Sequence, residues 1–377
     1  MAKKLRVGLI FGGRSGEHEV SIRSARAVIE SIDRRKYEVV PIAISKEGKW
    51  LAPHDSITLL PAGTKELLPN DVFKNSAGSV AILGDPSRKG LVALSSSESI
   101  STESLDVVFP VLHGPFGEDG TVQGLLEMAD IPYVGCGVLA SSCGMDKVTM
   151  KALFLHAGLP ICKYTWFLRS EWRNNQASII RRIKKDLGFP CFVKPANLGS
   201  SVGVSKAANE ASLVSAIELA AEYDRKIVVE EGVDAREIEC AVIGNDQPQA
   251  SLPGEYVVYD EAARFLDYTE KYASTGNVEF VVPAPVSKTL TDRIQRLALQ
   301  AFRSIDGSGL ARVDFFLTRD TKELLINELN TMPGLTEVSG YPKMWAASGM
   351  RFTAMLDKLI DLAFERHRDK SLNKTTK

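Results

Sequence analysis

The apolar run over residues 5–11, broken only by Arg6, predicts a strand buried on both faces, and it stops at Gly12-Gly13-Arg14-Ser15-Gly16-Glu17. Val20, Ala27, Val28 and Ile32 follow at helical spacing, and residues 37–44 return to a strand pattern. A βαβ opening of this kind implies a parallel sheet. Residues 53–104 are rich in Ser, Gly and Pro, with short apolar pieces only at 80–83 and 91–94, and predict an irregular insertion. Residues 106–112 predict a further strand that runs into His113-Gly114-Pro115-Phe116-Gly117-Glu118-Asp119-Gly120, and 121–129 a helix.

A second unit begins near Gly135. Residues 146–156 are helical, and so is the stretch marked by Ile179, Ile180, Ile183 and Leu187, whose Arg181, Arg182, Lys184 and Lys185 form a solvated face. Phe192-Val193-Lys194-Pro195 is a strand, Gly199-Ser200-Ser201-Val202-Gly203 a turn, 210–221 a helix and 227–231 a strand. The third unit is strand-rich, at 237–243, 256–259, 280–282, 309–317 and 323–330, with amphipathic helices at 289–302 and 352–366 and a frayed tail from 371. Residues 260–276 are polar and aromatic, longer than an economical connection, and loops of that length usually serve function. The expected domains are 1–135, 136–232 and 233–377.

Composition narrows the class. The chain has 377 residues, 44% hydrophobic and 25% charged, as expected of a globular protein with ample core. Its 46 Lys+Arg and 47 Asp+Glu leave a net charge of −1, which argues against a grip on nucleic acid or an acidic membrane surface. No apolar run reaches the roughly 18 residues of a membrane span. Arg6 and the early glycines make residues 5–11 a first strand rather than a signal peptide, so a cytoplasmic location is expected. Cys136, Cys143, Cys162, Cys191 and Cys240 form no CxxC pair and are expected to be reduced core residues.

The strongest chemical signal is Arg312-Val313-Asp314 with Glu328-Leu329-Asn330. Strand periodicity puts Arg312 and Asp314 on one face, and Glu328 and Asn330 on one face. A hairpin centred near Asp320 would set Arg312 opposite Glu328, with Val313, Phe315, Leu317, Leu325 and Leu329 facing the core. Oxygen-only donors suit a hard divalent cation, and magnesium in such a setting implies a nucleoside triphosphate. Standard phosphate loops are absent. Lys194 followed by the 199–203 turn offers backbone N–H groups and hydroxyls instead. Glu17, at the carboxyl edge of the first sheet, suits a substrate ammonium, and His113 faces the same crevice. Each motif also has a plain structural reading: a salt-bridged hairpin end, a common turn, a helix-dipole acid.

Taken in order, these motifs resemble the D-alanine–D-alanine ligases of the ATP-grasp superfamily. The matching pieces are Glu17-His18-Glu19-Val20-Ser21, the 113–120 loop, Met145-Asp146-Lys147, Lys194-Pro195, the 199–203 turn, Lys271-Tyr272, Arg312-Val313-Asp314 and Asn327-Glu328-Leu329-Asn330-Thr331-Met332-Pro333-Gly334. They cover residues 8–342. Phe265-Leu266-Asp267-Tyr268 departs from the family's habit of a second tyrosine beside the phenylalanine, and 53–104 is long, as in larger members. The resemblance implies an ATP-grasp fold, α/β and α+β, with an N-terminal parallel α/β domain and two α+β lobes clasping ATP.

It also implies an activity, the ATP-dependent joining of two D-alanines through a D-alanyl phosphate for peptidoglycan synthesis. By the same resemblance Asp314, Glu328 and Asn330 would hold two magnesium ions, replaceable by manganese. Lys147, Lys194 and Lys271 would meet phosphates, with Ser200, Ser201, Phe265 and Asn327 beside the nucleotide, and Glu230, Glu231 and Glu237 would line the adenosine pocket. Glu17 and His113 would bind the first D-alanine, Ser200 and Tyr272 would close the site, and Arg312 and the Gly334 N–H would stabilise the oxyanion. Ser339 would take the second carboxylate, and a homodimer is implied. The rival readings are a D-alanine–D-lactate or D-alanine–D-serine ligase, against which Tyr272 speaks, a binding module without catalysis, and another ATP-grasp ligase such as a carboxylase.

Overall fold

The computed structural model describes residues 3–61, 63–68, 78–94, 102–258 and 278–374. β1 (Leu5–Gly12), β2 (Tyr37–Ile44) and, farther along, β6 (Val107–Pro110) form a parallel sheet in the order β2-β1-β6. The helix His18–Ser31 crosses over from β1 to β2 and buries Val20, Ala27 and Val28. β1 is central and covered on both faces, which is why it reads as one apolar run. Between β2 and β6 the expectation of irregular chain is corrected. β3 (Ser79–Ile82), β4 (Gly90–Leu94) and β5 (Thr102–Ser104) pair antiparallel as a small sheet, and Val80, Ile82, Leu91 and Val92 are buried. Strands this short fall below the length at which alternation is visible in a sequence.

β7 (Tyr164–Leu168), β8 (Cys191–Pro195), β9 (Ser205–Ala207) and β10 (Lys226–Glu231) make an antiparallel sheet in the order β7-β10-β8-β9. Its apolar face is covered by the helices Gln176–Asp186 and Glu210–Tyr223 through Ile179, Ile183, Leu213 and Ile217. Arg181, Arg182, Lys184 and Lys185 are exposed on the outer face of the first of these, as expected.

The largest sheet contains β11 (Ala235–Gly244), β12 (Gln249–Ala250), β13 (Gly254–Val258), β14 (Val278–Val281), β15 (Gly309–Thr318) and β16 (Leu324–Asn330), in the order β14-β13-β11-β15-β16 with β12 on β11. One face packs on helix Lys288–Ser304 through Ile294, Ala298 and Phe302. Met150 and Phe154, from helix Lys147–His156, and Ala140, from helix Val138–Met145, enter this same core. Helix Phe352–Ser371 ties the two ends of the molecule together: Met355, Leu356, Leu359 and Ile360 share one core with Val7, Leu9 and Phe109 of the first sheet and Ala241 and Leu310 of the third.

The β15–β16 register differs from the expected hairpin. Arg312 lies opposite Asn330, not Glu328, and Asp314 lies opposite Glu328. Phe315 then pairs with Ile326, so one step on β15 matches two on β16, and Asn327 is the extra residue of a bulge. The bulge shifts the inward face of β16 by one position. Leu324, Ile326 and Leu329 are buried, while Leu325 is only half-buried.

Candidate functional site

Glu17 sits just before helix His18–Ser31, after the end of β1, and two segments, the 113–120 loop and the 199–203 turn, converge on its carboxylate. The Ser200 hydroxyl donates a hydrogen bond to Oε1. A Cβ on Gly114 or on Gly199 would come within 2.9 Å of Oε2, and Gly114 has φ of 74°, which favours glycine there. Ser200 and Ser201 have φ of 52° and 56°, the left-handed region that L-residues seldom enter, and the 199–203 turn closes with Val202 N–H donating to Gly199 O at 3.2 Å. The serine–glutamate bond therefore holds a strained turn down over the site.

His113 is buried, with Nδ1 2.9 Å from Met332 O and Nε2 3.3 Å from the Ser24 hydroxyl. A carbonyl only accepts, so Nδ1 carries the proton and Nε2 accepts from Ser24. Burial pushes the imidazole pKa down, although Glu17 pulls the other way. Glu118 Oε1 accepts from Gly114 N–H at 2.8 Å and Oε2 from Met332 N–H at 3.3 Å. Burial, with Glu17 adding repulsion, pushes this carboxyl up to about 8, so it is protonated at neutral pH. His113 and Glu118 thus pin the 113–120 loop to the turn after β16.

On the hairpin, Arg312 Nε and Nη2 donate to the two carboxylate oxygens of Asp314, both at 2.7 Å, and Nε lies 3.2 Å from Glu239. The Asn330 amide donates to Asp314 Oδ2 at 3.1 Å. Burial disfavours the guanidinium charge, but Asp314 and Glu239 outweigh it and raise the Arg312 pKa well above its ordinary value. Glu328 Oε2 is 3.2 Å from Lys147 Nζ, which also donates to Leu198 O at 2.8 Å. Burial pushes the Glu328 carboxyl up, but Lys147, Lys194 and Arg312 override it and bring it to about 2. Asp314 and Glu328 stand directly across the ladder, a repulsive pairing that neighbouring cations offset. Asp314, Glu328 and Asn330 form an all-oxygen donor set of the kind a hard divalent cation takes.

The bulge carries Asn327 toward β8. Lys194 Nζ donates to Glu230 Oε2 at 2.8 Å and lies 3.4 Å from Asn327 Oδ1. Lys151, fully buried, reaches Glu230 Oε1 at 3.0 Å and Asn327 O at 3.3 Å. Burial raises the Glu230 pKa, yet the two lysines override it and leave the carboxyl at about 2. Glu231 accepts from Lys163 N–H at 2.8 Å, and Glu237 is half-buried on β11 opposite Tyr256. Glu118, Lys147, Gly199, Glu328 and Asn330 line one narrow cavity of about 20 Å³ beneath the 199–203 turn.

Ser339 caps helix Gly340–Ala347, and its hydroxyl lies 2.7 Å from Thr336 Oγ1 and accepts from Thr336 N–H at 3.2 Å. A Cβ on Gly334 would fall 2.9 Å from the same hydroxyl. Ser201 is exposed on the turn. Phe265, Lys271 and Tyr272 lie outside the described residues, as do Tyr259 and Tyr268.

Comparison with known proteins decides the family. Residues 6–136 match the model described as D-ala D-ala ligase N-terminus, and residues 153–361 the one described as D-ala D-ala ligase C-terminus. The chain belongs to the D-alanine–D-alanine ligase family. A D-alanine–D-alanine ligase of Natranaerobius thermophilus is 48% identical over 374 residues, 99% of this chain and 98% of the relative, and one from Heliobacterium modesticaldum is 46% identical over 99% of this chain and 98% of the relative. Among solved structures, the D-alanine–D-alanine ligase from Coxiella burnetii gives a TM-score of 0.80 at 34% identity, covering 98% of each chain. The VanG D-Ala:D-Ser ligase from Enterococcus faecalis also gives 0.80, at 36% identity over 96% of this chain and 100% of that one. The fold is that of the ATP-grasp ligases, as the resemblance implied.

The ligase's site contains residues that the sequence reading passed over. Glu239 holds Arg312 from the far side and lies two positions after Glu237 on one strand, so period-two alternation was the available signal. Lys151 is four residues after Lys147 on one helix, yet a lysine is ordinarily taken as exposed. Glu118 was visible only as a letter within the 113–120 loop.

Proposed function

We propose that the ligase joins two D-alanine molecules to D-alanyl-D-alanine at the expense of ATP, through a D-alanyl phosphate, and that Glu17, Arg312 and the β15–β16 hairpin carry the chemistry. ATP use follows from membership of the family. The observation that carries the residue assignment is the meeting of Lys147, Gly199, Glu328 and Asn330 around one narrow cavity, with Glu17 bonded to Ser200 of the same turn and Asp314 across the ladder from Glu328.

Glu17 offers its carboxylate to the ammonium of the first D-alanine, with Ser200 fixing its orientation. His113 has both ring nitrogens engaged and acts by holding Met332 and Ser24, which sets the distance from Glu17 to Gly334. Lys147 and Lys194 exchange their present carboxylate partners for the triphosphate, and Lys271 joins them. Ser201, Asn327, Glu230, Glu231, Glu237 and Phe265 surround the nucleotide, Glu230 chiefly by keeping Lys194 aligned. Asp314, Glu328 and Asn330 hold magnesium, with manganese able to replace it. A cation held there would supply charge neutralisation for the triphosphate, whose γ-phosphoryl group passes to the D-alanine carboxylate oxygen with ADP as the leaving group.

The amine of the second D-alanine, its carboxylate at Ser339 and the N-terminus of helix Gly340–Ala347, attacks the acyl carbon. Arg312 and the Gly334 N–H face the oxyanion, and phosphate departs with the carboxylate oxygen it received. A cavity of about 20 Å³ holds no more than about one water, so the 199–203 turn must lift to admit ATP and close again over the acyl phosphate. The units 1–135, 136–232 and 233–377 are the bodies that clasp the substrates. Homodimer formation and a cytoplasmic location rest on the resemblance; among the described residues no helix is long and apolar enough to cross a membrane.

The test is product analysis with ATP and D-alanine, L-alanine, or D-alanine plus D-lactate or D-serine. D-Alanyl-D-alanine, ADP and phosphate in equal amounts are expected from D-alanine alone. Phosphate release without D-alanine, or a mixed product favoured over the dipeptide, would overturn the reading.

A further inference from the structure

A second, roomier cavity lies on the other side of the 113–120 loop. It has a volume of about 420 Å³, within the range of small-molecule sites, whereas the cavity lined by Lys147, Glu328 and Asn330 has about 20 Å³. Its inner wall is apolar, from Ile44, Leu112, Val122 and Leu125, and Trp50 and Phe116 supply aromatic surface. His113 also lines it, but Glu17, Ser200, Arg312, Gly334 and Ser339 do not.

Two features make it a built site rather than a surface dent. Phe116 has φ of 67°, the left-handed region, and its N–H is held by Asp119 Oδ2 at 2.8 Å. This strained backbone presents a ring that stays 46% exposed at the cavity mouth instead of burying it. The Arg14 guanidinium lies 4.2 Å from the centre of that ring. Its stem rests on Gly48, where a Cβ would come within 2.7 Å of Arg14 Cδ. Arg14, exposed at the rim, thus lies between Gly48 and Phe116, and among the described residues no carboxylate lies within ion-pair distance of it. The one acid on the rim, Glu47, accepts a hydrogen bond from the Ser45 hydroxyl at 2.8 Å.

From this geometry we propose that the cavity bounded by Arg14, Trp50 and Phe116 is a binding site for a small organic carboxylate with a flat apolar body, next to the site at Glu17 and sharing only His113 with it. The carboxylate meets the pre-placed guanidinium, whose planar fork suits it, and the apolar body lies against Leu112, Val122 and Trp50.

Phenylacetate serves as the probe, titrated into the full chain without ATP and followed by saturation-transfer NMR, with neutral phenylacetamide as its control. We expect phenylacetate to bind at about 1 mM and phenylacetamide about tenfold more weakly. Arg14→Gln should weaken phenylacetate about tenfold and leave phenylacetamide unchanged. Excess D-alanine should not displace the probe. Absence of binding, equal binding of acid and amide, indifference to Arg14→Gln, or displacement by D-alanine would each overturn the proposal. Because no turnover is measured, these results are independent of the ligase mechanism.

Discussion

Replacing Glu230 by Gln keeps the side chain's shape and removes the one negative charge between Lys151 and Lys194, which lie 3.0 and 2.8 Å from its oxygens. Glu230 is 2% exposed and Lys151 fully buried, so solvent screens these charges little. The two lysines bring the carboxyl down from its ordinary 4.5 to about 2, which at ~1.4 kcal/mol per tenfold change in proton affinity corresponds to ~3 kcal/mol of stability. Breaking a buried pair by removing one partner costs ~3–5 kcal/mol, which agrees. Because the folded pKa is depressed, the contribution is complete above pH 4.5 and is lost as pH falls through about 2. Urea unfolding of the ligand-free chain reads the effect, since Trp166 and Trp172 report on the β7–β10 sheet and its covering helices. We predict that Glu230→Gln loses ~3 kcal/mol at pH 7 and that the gap closes toward pH 2. A variant within ~1 kcal/mol of the parent at pH 7 would refute a strongly coupled buried triad.

Arg312→Lys removes the paired 2.7 Å bonds to Asp314 and one oxyanion donor, and should lower kcat about 100-fold in a phosphate-release assay without changing the unfolding midpoint by much. Glu17→Gln should raise the KM for the first D-alanine about tenfold or more, the worth of one charge-assisted hydrogen bond, and an unchanged KM would remove Glu17 from the ammonium site. Glu118 has a raised folded pKa of about 8, so the parent loses stability as pH rises from 4.5 toward 8, at up to ~1.4 kcal/mol per unit. Glu118→Gln should flatten that slope in melts taken at pH 5 to 8. Chelation should abolish turnover and added magnesium restore it, whereas Asp314→Asn should stay inactive at any magnesium concentration tested.

Much of the fold was legible because its main elements are long and one-sided or fully buried. β1, β2 and helix His18–Ser31 follow directly from apolar runs and spacing. Helices Val138–Met145 and Gly340–Ala347 were missed, since their short stretches of Ala, Ser, Gly and large apolar residues set no helical period. The Arg312–Asn330 pairing was unreadable for another reason. A bulge at Asn327 depends on the Lys194 and Lys151 contacts that reward it, and nothing within the hairpin's own residues announces those. The same holds for Lys151 and Glu118, whose burial arises from segments more than 75 and 200 residues away in the chain, at Glu230 and Met332. Motif residues were found because they are chemically out of place; their supports were not, because each is ordinary in its own stretch.

The central claim is that the D-alanine carboxylate is phosphorylated before the amide bond forms. D-Alanine labelled with oxygen-18 in both carboxylate oxygens tests it directly. If an acyl phosphate forms, each turnover moves one labelled oxygen from the first D-alanine into the released phosphate and leaves its other in the peptide carbonyl. Released phosphate free of label, in a reaction that still yields the dipeptide, would contradict the account.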